Sequence, residues 1–135
     1  MTDPIQQILT TTRRIAVVGA SANPRRASNE IMGFLVARGF DVVGVNPGLA
    51  GQTLHGRPVV ATLDDAMPLD MVDVFRASDQ VAPVMADAIR LGARTVWLQL
   101  GVADAEAVTT GRAAGLQVVE NRCPSIEWRR LRLPT

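Results

Sequence analysis

The sequence predicts an α/β protein built on a doubly wound parallel sheet, and three observations support this prediction. Short runs rich in valine, isoleucine and leucine alternate along the chain with stretches of helical composition. The apolar runs are nearly continuous, which is typical of strands that are buried on both faces of a sheet. Several helical stretches are followed by a glycine, which commonly ends a helix: Gly39, Gly92 and Gly115. Right-handed crossovers between parallel strands then give a Rossmann-like arrangement.

Six strands are expected, each a short β-rich run followed by a turn or a helix. The first covers residues 15–20 (IAVVGA), and the second covers 41–46 (DVVGVN) before Pro47 and Gly48. The others are expected at 58–61, 71–76, 95–100 and 117–120. We expect the strand order 3-2-1-4-5, with the sixth strand beyond the fifth and helices on both faces.

Helices are expected in the connections between strands and after the last strand. They are predicted at 29–38, 62–66, 78–91, 104–114 and 125–131. Thr62 and Ser78 are expected as N-caps, because a hydroxyl at that position accepts a hydrogen bond from the first turn. No linker, repeat or low-complexity tract interrupts the pattern, so we expect one domain over residues 1–135.

The composition argues against several classes of function. All 14 basic side chains are arginine and 13 are acidic, so the net charge of +1 gives no reason to expect a nucleic-acid partner. Without lysine there is no P-loop lysine and no Schiff-base lysine. A single cysteine excludes an intrachain disulfide, and no zinc-type cluster is present. No apolar run approaches a membrane span and the first residues lack a signal-peptide pattern, so we expect a soluble cytoplasmic protein.

The loop after the first strand has the chemistry of an anion site. In open α/β sheets ligands bind at the carboxyl ends of the strands. Gly19 permits a tight turn there, and Ala20 and Ser21 are small enough for a ligand to approach the main chain. The following helix start offers N–H groups to an anion. The loop also supplies polar and basic side chains, namely Ser21, Asn23, Arg25, Arg26 and Ser28.

The end of the second strand bears on which phosphate ligand fits. NAD enzymes of this fold usually place an acidic residue there to bind the ribose hydroxyls. This chain has Asn46 and Pro47 instead, and the nearest arginine for an NADP phosphate is Arg57. Neither nicotinamide cofactor fits well. The sequence therefore favours an adenosine-containing ligand whose ribose is not read by an acid.

Five ordered motifs resemble the small CoA-binding proteins, single-domain relatives of the CoA-binding domain of the succinyl-CoA synthetase α-subunit. The motifs are VVGASANPRRAS, VNPG, VDVFR, VWLQLGV and NRCPSIEWRRL, and the resemblance covers roughly residues 13–131. It implies that coenzyme A lies across the strand ends, with its phosphates and adenosine near the first two loops. The residues that it implies as binding are Gly19, Ala20, Ser21, Asn23, Arg26, Ser28, Asn46, Pro47, Phe75 and Arg76.

Two departures from the family pattern affect this expectation. Relatives often have a basic residue directly after the NP of strand two, where this chain has Gly48; Arg25 and Arg26 can supply that charge. The chain also lacks the second domain in which the synthetase carries its phosphorylated histidine. We therefore expect a module that binds CoA or acyl-CoA without a catalytic centre. The alternative functions are an NAD(P)-type oxidoreductase, a component of an acyl-CoA ligase or transferase, and a regulatory partner that binds an adenine nucleotide. The sequence is compatible with a homodimer and with a partner protein.

The remaining reactive side chains are expected to take no part in catalysis or metal binding. His55, the only histidine, is expected at the surface of a loop rather than in catalysis. Cys123 is expected to be buried; the alternative is a thiol, activated by Arg122, that meets the thiol end of bound CoA. Four aspartates are attributed to helix starts and solvation rather than to a metal: Asp64, Asp65, Asp70 and Asp73.

Overall fold

A computed structural model describes residues 3–134, which form seven strands and five α-helices. The strands are β1 (Arg14–Val18), β2 (Asp41–Val45), β3 (Thr53–Leu54), β4 (Arg57–Val60), β5 (Met71–Val74), β6 (Thr95–Leu98) and β7 (Gln117–Val119). The helices are α1 (Pro4–Thr11), α2 (Ala27–Ala37), α3 (Val81–Arg90), α4 (Ala105–Ala113) and α5 (Pro124–Arg130). Short 3-10 turns cover Pro47–Leu49, Asp64–Ala66 and Ser78–Gln80.

The strands form one sheet in the order β3-β4-β2-β1-β5-β6-β7. All neighbours are parallel except β3 and β4, which form an antiparallel hairpin at one edge. The central strand β1 pairs with β2 on one side and β5 on the other, so that Ile15 lies opposite both Val42 and Met71. The predicted fold class and strand order are confirmed, with the sixth predicted strand beyond the fifth.

The sheet is covered on both faces, as its apolar strands predict. One face buries Ala16, Val43 and Val72 beneath α3 and α4. The other face buries Ile15 and Trp97 beneath α1, α2 and α5. Successive residues of a strand point to opposite faces, so the two cores alternate along each strand. This arrangement leaves the carboxyl ends of the strands, between the two helical layers, as the place where loops can form a site.

The structure differs from the sequence prediction at the first helix, at one edge strand of the sheet and at one helix cap. Helix α1 was not predicted, although Asp3 caps it by accepting the Ile5 N–H at 2.8 Å and Pro4 occupies its first turn. The β3 strand was not predicted either, because two residues are too few to show a period. Ser78 does not cap α3, which begins at Val81; its Oγ accepts the main-chain N–H of Ala103 at 3.0 Å.

Several predicted strands and helices end earlier than expected. The first, fourth and fifth predicted strands lose their last two residues, because the chain leaves the ladder there and forms the strand-end loops. The helix predicted at 62–66 is only a 3-10 turn, at whose start the Thr62 Oγ accepts the Asp65 N–H at 3.4 Å. Between residues 3 and 134, no helix has the length and hydropathy that crossing a membrane requires.

Candidate functional site

A cavity of about 410 Å³ lies at the carboxyl ends of β1, β2, β5 and β6. Its lining contains eight of the eleven residues predicted for the site: Gly19, Ala20, Ser21, Arg26, Ser28, Asn46, Phe75 and Arg76. The lining is completed by Ala27, Gln99, Leu100 and Val102. Loops that lie far apart in the sequence, and that were each predicted to bind a ligand, therefore line one cavity.

The three other predicted residues lie outside this cavity. Pro47 lines a second cavity of about 260 Å³, which shares Gly19 and Arg76 with the first. Asn23 and Arg25 line neither cavity. Asn23 instead shapes the loop, because its main-chain N–H donates to the Ser21 Oγ at 3.1 Å and its Oδ1 accepts the Arg25 N–H at 3.0 Å.

Gly19 brings the loops after β1 and β5 into direct contact. Its φ of +88° lies in the left-handed region that favours glycine, and its N–H donates to the Val45 main-chain oxygen at 3.1 Å. A Cβ at this position would overlap the main-chain oxygen of Phe75 and lie 3.3 Å from the Arg76 Cδ. The floor of the cavity thus depends on the absence of a side chain at Gly19.

Hydrogen bonds occupy main-chain acceptors of the first loop and leave several of its donors free. Two carbonyl groups are held by asparagine amides: the Asn46 Nδ2 donates to Ala20 O at 2.8 Å, and the Asn29 Nδ2 donates to Ser21 O at 2.8 Å. Within residues 3–134, the N–H groups of Ser21, Ala27 and Ser28 have no acceptor. Ala27 and Ser28 lie at the start of the 11-residue helix α2, where free N–H groups attract an anion.

The arginines beside the cavity are not neutralised by carboxylates of the chain. Among the residues that the structure describes, no ion pair involves Arg25, Arg26 or Arg76. Six other arginines are paired with aspartate or glutamate: Arg14, Arg57, Arg90, Arg112, Arg122 and Arg130. No acidic side chain lines the 410 Å³ cavity. The site is therefore positively charged and suited to a phosphate ligand.

Comparison with known proteins identifies the family of this chain. The family model described as a CoA binding domain matches residues 13–129. The chain belongs to this CoA-binding domain family. The resemblance inferred from the five motifs is confirmed by a match over most of the chain.

The similar proteins span nearly the same length as this member of the CoA-binding domain family. The Bacillus subtilis (strain 168) protein YneT is 31% identical over 119 residues, which cover 88% of this chain and 87% of YneT. The structure of protein ID.343 from Thermus thermophilus has a TM-score of 0.91 at 34% identity and covers 97% of this chain and 99% of that chain. A hypothetical protein from Pyrococcus horikoshii OT3 has a TM-score of 0.88 at 36% identity, covering 97% and 92% respectively.

Gln99 is a functional candidate that the sequence prediction left out of its binding set. It follows β6 and lines the cavity beside Leu100 and Val102. Only 6% of Gln99 is exposed, yet its Oε1 has no hydrogen-bond partner in the described chain. A buried amide oxygen that lacks a donor costs free energy, so this cavity-lining side chain is a functional candidate. Its place in the middle of the VWLQLGV motif, at the end of an apolar strand, was the available signal.

The structure separates Cys123 from the candidate site. The cysteine is 7% exposed and packs in the core that contains Trp97 and Trp128. Its Sγ lies 3.2 Å from the Ser125 Oγ, and it does not line the cavity. Arg122, expected to activate the thiol, pairs with Glu127 instead. The expected burial is correct, and the alternative of a thiol that meets bound CoA is not supported.

The interpretation of the four aspartates as solvated charges is wrong for Asp73. It is fully buried in β5 between Val17 of β1 and Trp97 of β6, and neither carboxylate oxygen has a partner. Burial raises the pKa of Asp73 well above the ordinary value of a carboxyl group. Asp70 accepts main-chain N–H groups from the start of β1, and Asp64 pairs with Arg90.

Proposed function

We propose that this chain is a single-domain module that binds coenzyme A, or an acyl-CoA, in the strand-end cavity without a catalytic centre of its own. The observation that carries the proposal is the convergence of Arg26, Arg76 and acceptor-free loop N–H groups on a cavity with no acidic lining. Membership of the CoA-binding domain family supports the same ligand class. The diphosphate of CoA is the group that such a donor set would bind.

The geometry at the end of β2 favours CoA over a nicotinamide dinucleotide. In NAD enzymes an acid at this point accepts hydrogen bonds from the ribose hydroxyls. Asn46 occupies the position here, and both ends of its amide serve the loops: Nδ2 donates to Ala20 O, and Oδ1 accepts the Gly48 N–H at 2.9 Å. The side chain therefore holds the two loops together, and it lacks the paired carboxylate oxygens with which an acid reads a ribose. An NAD(P)-type oxidoreductase is disfavoured on this ground.

The part of the cavity lined by Gln99, Leu100 and Val102 suits the arm of CoA that other adenine nucleotides lack. This arm joins the diphosphate to the thiol, and it contains amide N–H groups separated by apolar carbons. The Gln99 side-chain amide lines the cavity, and the adjacent Leu100 presents an apolar side chain to solvent, being 52% exposed. A lining that combines arginines, an amide and apolar side chains matches the kinds of group that CoA presents.

A panel of ligands tests this function. Thermal unfolding is measured with CoA, ADP, NAD and NADP, and CoA is expected to raise the Tm most. A ligand at about 100 times its Kd stabilises the folded state by roughly 2.7 kcal/mol, which is readily detected in a protein of this size. A larger shift with NAD or NADP, and none with CoA, would overturn the proposal.

A further inference from the structure

The β3–β4 hairpin contains a histidine in an unusual conformation. His55 and Gly56 form its two-residue turn with φ values of +51° and +76°. Turns of this kind prefer asparagine or glycine, because a larger side chain is strained at positive φ. Histidine tolerates a positive φ better than most residues do, and at this position a side-chain interaction also holds it in place.

The imidazole of His55 provides that interaction by packing on helix α2. A Cβ at Gly33 would lie 2.8 Å from the His55 Cε1, so the ring fills the gap left by a glycine inside the helix. Glycine weakens a helix interior, and here it makes room for the ring. The His55 Nε2 lies 2.9 Å from Asn29 O and 3.1 Å from Asn29 Oδ1. The ring thus contacts α2 through packing and through hydrogen bonds.

These contacts fix the direction of every hydrogen bond in the group. The Asn29 Nδ2 donates to Ser21 O, so its Oδ1 faces the histidine. The His55 Nε2 then meets two acceptors and must carry the proton. The reversed amide would bring the Asn29 and Ser21 oxygens together without a proton between them. One chain of donors therefore runs from His55 through Asn29 to Ser21.

We propose that His55 is a positioning residue for the loop at 19–28. Through Asn29, which is 9% exposed, it holds the Ser21 carbonyl against α2 and away from a bound anion. Free rotation of the Ser21–Ala22 peptide group would present the Ser21 carbonyl oxygen to the phosphate and turn away the Ala22 N–H, which has no acceptor in the described chain. The expected effect of His55 on CoA binding rests on the proposed function. Its expected effect on the loop conformation applies to the free protein as well.

The first test is made on the free protein by NMR. In His55→Leu the amide signals of residues 20–22 are expected to shift, whereas in His55→Gln they stay near those of the wild type because the glutamine amide donates to the same oxygens. Leu54→Ala is the matched control, since it removes packing from the same hairpin and leaves the His55–Asn29 contact in place. Unchanged signals in His55→Leu, or equal shifts in all three variants, would overturn the positioning role.

The second test is CoA binding by calorimetry. His55→Leu is expected to weaken binding about tenfold, the value of one hydrogen bond, and His55→Gln to restore most of it. His55→Leu should add little in a protein that already carries Asn29→Leu, because the two residues act through one contact. Wild-type protein that fails to bind CoA would overturn the proposed function and leave the NMR result standing. Wild-type affinity in His55→Leu would overturn this inference alone.

Discussion

The main-chain oxygen of Phe75 occupies the space that a Cβ on Gly19 would need. This contact joins the loop after β1 to the loop after β5 at the cavity floor. Because Gly19 also has a φ of +88°, both sterics and backbone conformation require glycine. The shape of the site and the stability of the fold therefore depend on the same residue.

Gly19→Ala should lower stability and CoA affinity together. We expect about 2–4 kcal/mol less free energy of unfolding, from left-handed strain and from the overlap with Phe75. Gly39→Ala is the control: Gly39 has a φ of +89° with open space around its Cβ position, so it suffers only the strain. Urea denaturation and calorimetry measure both effects. Equal losses of stability in the two variants would show that Phe75 exerts no constraint.

Arg26→Ala should weaken CoA binding by about 1.5–3 kcal/mol, the value of a charge-assisted hydrogen bond to phosphate. Stability without ligand should change little, because Arg26 is exposed and forms no ion pair within residues 3–134. Arg94→Ala removes the same charge before β6, at the opposite end of the sheet, and should bind CoA as the wild type does. If the two variants bind equally well, Arg26 does not contact the phosphates.

Gln99→Leu should discriminate between the two halves of CoA. The variant loses the side-chain amide beside Leu100 and keeps the arginines. We expect about tenfold weaker binding of CoA and unchanged binding of 3′-phospho-ADP, which lacks the amide arm. Competition titrations give both affinities. A similar loss for the two ligands would place Gln99 beside the nucleotide, contrary to this assignment.

Asp73→Asn should stabilise the protein at neutral pH by an amount that falls as the pH is lowered. The buried carboxyl has a raised pKa in the folded state, whereas in the unfolded chain it ionises above about 3.9. Between the pKa of Asp73 in the unfolded chain and its raised pKa in the folded state, each pH unit lowers the free energy of unfolding of the wild type by about 1.4 kcal/mol. Below the unfolded-state pKa this loss disappears. The difference between variant and wild type, from urea denaturation, should therefore be larger at pH 7 than near pH 4.

A surface aspartate provides the control for this pH experiment. Asp79→Asn changes the same charge at an exposed position and should give a small difference at both pH values. If the Asp73→Asn difference is independent of pH, then burial does not suppress ionisation of this carboxyl group.

The sequence predicted the parts of the fold that repeat a pattern. The strand order follows from Val/Ile-rich runs alternating with helices, and it is observed around β1. Helix α1 and strand β3 were missed for different reasons. The Asp3–Pro4 start of α1 was a readable capping signal, whereas the two residues of β3 carry no period and are held by the turn at His55.

The site was predictable where it depends on loop chemistry and not where it depends on packing. Ser21, Arg26 and Asn46 lie in turns whose residue types already suggest anion binding. The role of Gln99 depends on burial without a partner, which no linear pattern reveals. Asp73 was misread because its carboxylate was expected to reach solvent, although the same sequence predicted a sheet that is covered on both faces.

Hydrogen–deuterium exchange with saturating CoA tests the location of the ligand most directly. The N–H groups of Ser21, Ala27 and Ser28 have no acceptor within the described chain and should exchange quickly in the free protein. Bound CoA should slow exchange in residues 19–28 and 99–102, which lie on the two sides of the cavity. Protection confined to the opposite end of the sheet, around Arg94, or no protection at saturation, would contradict CoA binding at the strand ends.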